Sequence, residues 1–78
     1  MADDFLDASG LLCPLPVLKA RKKLKTMADG DLLEVYATDP GAEKDFPAFC
    51  RAQGHLLEEC RKEGGKLVFR IRKAAGGA

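Results

Sequence analysis

Apolar and polar positions follow two different rhythms along this chain. Leu33, Val35 and Ala37 alternate with Glu34, Tyr36 and Thr38, the two-residue period of a strand with one face in a core and the other in water. From Pro14 to about Met27 the rhythm changes. Val17, Ala20, Leu24 and Met27 recur three or four residues apart, which lines up one face of a helix, and Asp29-Gly30-Asp31 ends it. A second, shorter helix carries Phe46, Phe49, Cys50 and Gln53, with Asp45 as its expected N-cap, Pro47 in its first turn and Gly54 as its stop. Phe5 to Ala8 (FLDA), ending at Ser9-Gly10, reads as a first strand. Asp39-Pro40-Gly41 turns the chain after the second strand. Leu56 to Arg61 and Leu67 to Arg72 flank Lys62-Glu63-Gly64-Gly65-Lys66, whose glycines suit a hairpin.

The order is therefore βαβαββ. A strand, helix, strand unit favours parallel pairing, whereas the terminal hairpin must be antiparallel, so the sheet is expected to be mixed. With both helices on one face, the fold class is α/β, a two-layer sandwich with a four-stranded sheet. The whole of 1–78 reads as one domain without repeats or linkers, and Ala74 to Ala78 are expected to fray.

Composition narrows the range of functions. A chain of 78 residues buries only about 60% of the surface it exposes when unfolded, too little for a deep enclosed active site. Positive and negative residues nearly cancel, to a formal +1, so any electrostatic role must come from local clustering. The first residues, MADDFLDASG, lack the basic start and apolar run of a signal peptide, and no stretch reaches the roughly 18 apolar residues of a membrane helix. A cytoplasmic protein is expected, with no membrane partner. Cys13, Cys50 and Cys60 are an odd set that suits no disulfide framework. No Cys-x-x-Cys pair occurs and His55 is the lone histidine, so neither a metal nor another cofactor is expected.

The stretch GLLCPLPVL (residues 10–18) holds the candidate chemistry. Proline in the first turn of a helix loses no helical hydrogen bond, so Pro14 and Pro16 are expected to start the first helix. A residue before proline is pushed out of the helical region, which places Cys13 at the N-cap beside the Leu15 and Val17 amides. There the helix start should favour thiolate over thiol and lower the thiol's pKa. Cys50 shares the Phe46 and Phe49 face and reads as core, while Cys60 lies within a strand with a structural or incidental role.

A cysteine hydrolase needs a histidine base, and only His55 is available. Thiol exchange needs only a thiolate, access and a docking surface. The position three residues after Cys13 is Pro16 rather than a resolving cysteine, which leaves transfer by a single thiol. Lys19, Arg21, Lys22, Lys23 and Lys25 follow with no acidic residue between Pro14 and Ala28. A basic face without partners inside its own helix suits an acidic protein or an RNA backbone. An alternative reading is thus an RNA- or protein-binding regulatory module, and a third is a thiol oxidoreductase using Cys50 or Cys60.

The segment LDASGLLCPLPVLKARKKL resembles the TusA (SirA-like) family of sulfur-carrier proteins. That family's signature is Cys-Pro-x-Pro at the start of the first helix, and Cys13, Pro14 and Pro16 match it. ATDPGAEKDFPAFCRAQGH is similar to its second characteristic region, and the resemblance extends from Leu6 to Arg72. It implies a sulfurtransferase of carrier type, in which Cys13 accepts sulfane sulfur as a persulfide and passes it to a cysteine of an acceptor protein. The implied donor is a cysteine desulfurase or a rhodanese-like protein, and the implied acceptor is DsrE-like. The sulfur would serve tRNA thiolation or sulfur oxidation. Lys19, Arg21, Lys22 and Lys23 are the candidate partner-binding residues, and direct nucleic-acid contact is not expected.

Overall fold

The computed structural model describes residues 2–74. Its elements are β1 (Asp4–Ala8), α1 (Leu15–Lys25), β2 (Leu32–Ala37), α2 (Ala42–Gln53), β3 (Leu56–Glu63) and β4 (Lys66–Arg72). This is the expected βαβαββ order. The four strands form one mixed sheet in the order β1-β2-β4-β3, with β1 parallel to β2 and β4 antiparallel to both of its neighbours.

Because side chains alternate across a strand, the register assigns each face. Leu6, Val35 and Phe69 stand side by side across β1, β2 and β4, and Val35 and Phe69 belong to the buried core with Leu33, Ala37, Leu67 and Ile71. Ala20 and Leu24 of α1 and Phe46, Phe49 and Cys50 of α2 close that core from one side. The Phe46 and Phe69 rings stack with centroids 4.4 Å apart, joining α2 to the centre of the sheet. On the other face Phe5 meets Tyr36 edge-on at 4.8 Å, and Glu34–Arg70 and Glu58–Arg72 pair at 3.3 and 2.7 Å. Leu32 and Val68 are buried there, outside the main core. The sheet therefore has a helical side and a solvated side, as expected of a two-layer sandwich.

The helix boundaries differ from expectation for local reasons. Pro14 is the N-cap of α1, and the helix runs from Leu15 to Lys25 rather than from Pro14 to Met27. In α2 the cap is Gly41, not Asp45. Asp39 accepts the Gly41 N–H on its carboxylate at 3.1 Å and the Ala42 N–H on its carbonyl at 3.0 Å, so the turn feeds directly into the helix. The earlier start puts Asp45 in the first turn and Pro47 inside the helix. Gly54 ends α2 at φ +79°, donating to the Cys50 carbonyl, a left-handed conformation that glycine adopts at little cost. Ala74 is held rather than frayed, its N–H donating to His55 Nδ1 at 3.2 Å. The expectation for Ala75 to Ala78 lies outside the described residues.

Candidate functional site

Two loops meet where β1 and β2 end side by side. Gly10 N–H, in the loop after β1, donates to Thr38 Oγ1 at 2.8 Å and fastens that loop to the Asp39-Pro40-Gly41 turn after β2. Leu15 N–H then donates to the Leu12 carbonyl at 2.9 Å, closing a turn around Cys13 and Pro14, whose peptide bond is cis; a cis proline at the third position defines a type VI turn. Pro16 is fully buried and anchors the start of α1. Pro14 is exposed.

Cys13 is half-buried and packs on the edge of the core. Beneath it lies Gly41. A methyl group on Gly41 would stand 3.3 Å from Cys13 Sγ and 2.8 Å from Asp39 Oδ2, so the bare backbone there makes room for the sulfur. The carboxylates of Asp39 and Asp45 lie near enough to act on the thiol. Neither carboxylate has an ion-pair partner among the described residues. Burial above all, then hydrogen bonding to Asp39 and Asp45 and their negative charge, push the Cys13 thiol up to about 12.

This reverses the expected acidity. Cys13 precedes the N-cap instead of occupying it, the Leu15 amide is taken by Leu12, and the sulfur is turned toward α2. Burial, and then the two nearby carboxylates, set the direction of the shift. Asp39, Gly41 and Asp45 are thus the site residues that sequence reasoning missed. They were visible only as a turn and a helix cap, because nothing local links them to Cys13.

The other thiols occupy different surroundings. Cys50 lies in the core, where burial pushes it up to about 11. Cys60 is exposed on β3, and its thiol is raised by burial first and then by Glu43. His55 is buried, its ring 5.7 Å from that of Phe49. It follows the C-terminal end of α2, roughly 18 Å along the helix from Gly41. A Cys13–His55 hydrolase pair is therefore not built.

Around the thiol the surface is apolar. Leu12 is 70% exposed, and Leu15 and Leu18 are about half exposed. The four candidate docking residues divide. Burial of Pro16, Ala20 and Leu24 fixes the rotation of α1, and at 100° per residue Lys19, Lys22 and Lys23 fall on the β1 side and Arg21 on the opposite flank.

The family model for sulfurtransferase TusA matches residues 4–73. The sulfur carrier protein TusA of Allochromatium vinosum is 54% identical over 72 residues, covering 92% of this chain and 95% of its own. A putative sulfur carrier protein of Neisseria meningitidis is 51% identical over 92% of this chain and 97% of its own. The crystal structure of a SirA-like protein from Desulfitobacterium hafniense superposes with a TM-score of 0.80 at 24% identity, covering 91% and 97% of the two chains, a likeness of fold.

Proposed function

As the chain belongs to the sulfurtransferase TusA family, we propose that it is a sulfur carrier whose carrying atom is Cys13 Sγ. The observation that supports this most is the setting of the half-buried Cys13 thiol in an apolar rim, over Gly41. In the loading step Cys13 Sγ attacks the outer sulfur of a donor persulfide. The new bond is Cys13 S–S, the donor's S–S bond breaks, and the proton lost by Cys13 is balanced by protonation of the leaving donor thiolate. In the discharge step an acceptor cysteine repeats the attack on the outer sulfur and Cys13 leaves as thiol. Both steps are redox-neutral, so a single cysteine suffices and no cofactor is required.

The carboxylates give the exchange a control. In the free protein Asp39 and Asp45 favour the protonated thiol, which is a poor nucleophile. A partner that docks on the leucine rim and brings a cation to these aspartates would release the thiolate in the complex. Transfer is thus favoured between docked proteins over exchange with small thiols. The donor is read as a cysteine desulfurase or rhodanese-like protein and the acceptor as DsrE-like, in the cytoplasm, where thiols stay reduced. tRNA thiolation and sulfur oxidation use the same two steps, so the chemistry at Cys13 is common to both.

Discharge distinguishes a carrier from a binding module. Protein loaded with labelled sulfur, desalted and mixed with a cysteine-bearing acceptor should hand over close to one equivalent as acceptor persulfide. Release only as free sulfide, or no loading at all, would favour the regulatory-module reading.

A further inference from the structure

Helix α1 carries more positive charge than the fold uses. Lys19, Lys22 and Lys23, with Thr26 and the half-buried Leu6 of β1, line a groove of about 270 Å³ between the helix and the sheet. The groove runs beside β1, an edge strand whose sole neighbour in the sheet among the described residues is β2, so one side of its backbone has no strand partner among them. One carboxylate already lies at this edge. Asp4 accepts the Phe5 N–H on Oδ1 at 2.8 Å and pairs through Oδ2 with Lys23 Nζ at 3.2 Å. Lys19 and Lys22 have no ion-pair partner among the described residues.

We propose that an acidic, extended segment of a partner protein lies in this groove, with carboxylates on Lys19 and Lys22 and an apolar side chain over Leu6, and that Asp4 occupies part of the same site as an internal competitor. The proposal rests on the carrier reading for the existence of a protein partner, but not on the chemistry of Cys13. Alternation of carboxylate and apolar side chains along an extended segment matches a groove with lysines on its wall and a leucine on its floor. An RNA strand fits less well. Its affinity grows with the number of phosphates neutralised, whereas this groove offers three lysines, one already paired with Asp4.

The test is fluorescence anisotropy with the full chain and a short labelled peptide of alternating Glu and Leu. Binding should weaken with salt and be lost when Gln replaces Glu in the peptide. Lys19→Glu with Lys22→Glu should weaken it by about tenfold or more, the equivalent of about 1.4 kcal/mol. Asp4→Asn, which keeps an acceptor for the Phe5 N–H, should strengthen it severalfold. Lys44→Glu with Arg51→Glu, an equal change of charge on the exposed side of α2, should leave it within about twofold, as expected once salt screens distant charges. Equal weakening by both double variants, no gain from Asp4→Asn, or displacement of the peptide by a single-stranded RNA of the same charge would overturn the proposal. Binding is read without sulfur, so failure here leaves the carrier reading standing, and a chain that binds the peptide but never loads sulfur refutes only that reading.

Discussion

Replacing Cys13 by serine is expected to reduce donor-to-acceptor sulfur transfer to the level measured without the protein, with the fold intact. The size of the effect follows from the chemistry. A hydroxyl forms no persulfide and is a far weaker nucleophile toward sulfur than a thiolate, so no partial activity remains to be rescued by pH. The fold should tolerate the change because serine keeps the size of cysteine and offers Asp39 and Asp45 a hydroxyl donor in place of the thiol. A stability loss of no more than about 1 kcal/mol is expected at such a half-buried position. Cys60→Ser, on the exposed edge of β3, should transfer at close to the unsubstituted rate. Single-turnover transfer, with denaturant unfolding of each variant, checks both halves. Transfer that survives Cys13→Ser but falls with Cys60→Ser would move the carrier site to β3.

Removing the two carboxylate charges beside the thiol is expected to make the free protein more reactive. A raised pKa means that the folded chain holds the Cys13 proton over a wider range, from the ordinary thiol value of about 8.5 up to about 12. Alkylation of Cys13, measured with Cys60 replaced, should therefore climb about tenfold per pH unit through that window with no plateau near the ordinary value. The same linkage makes folding stability fall as pH rises above the unfolded thiol's pKa, because the native state binds the proton more tightly. Both carboxylates raise the thiol through hydrogen bonding and charge, so Asp39→Asn with Asp45→Asn should lower it. It should not return to the ordinary value, since burial is the largest cause. Each unit gives about ten times more thiolate, each about threefold less nucleophilic, for a net gain of roughly threefold per unit in alkylation near pH 8. Sulfur transfer from a docked donor should gain less if, as proposed, the docked partner brings a cation that supplies the same relief. An unchanged alkylation rate would show that the carboxylates do not govern the thiol.

Much of the fold was legible because its signals are local. The period of Leu33, Val35 and Ala37 and that of Val17, Ala20 and Leu24 each depend on neighbours within one element, and the structure keeps both faces. Gly54 ended α2 as its sequence position implied, since only its own backbone conformation was at stake. Asp45 was misplaced because the turn at Asp39, six residues earlier, already leads the chain into the helix at Gly41. The thiol's surroundings were illegible for a related reason. Cys13 could be seen before a proline, but the loop that swings it onto Gly41 is fixed by Gly10 binding Thr38 across the sheet, a contact between distant parts of the chain. The basic run showed that α1 was cationic. Only the burial of Ala20 and Leu24 decided that Lys19, Lys22 and Lys23 share a groove and that Arg21 does not.

The most direct measurement is peptide-resolved mass spectrometry of the full chain after loading by a persulfide-bearing donor protein, in parallel with a small alkylating reagent. All three cysteines are free, so each can report. The small reagent should mark exposed Cys60 ahead of Cys13, whose proton is held by burial and two carboxylates. The donor protein should place one sulfur on Cys13 alone, because docking selects the thiol at the leucine rim. Donor sulfur found on Cys60 as often as on Cys13, or distributed in the same order as the small reagent's label, would contradict Cys13 as the carrying atom.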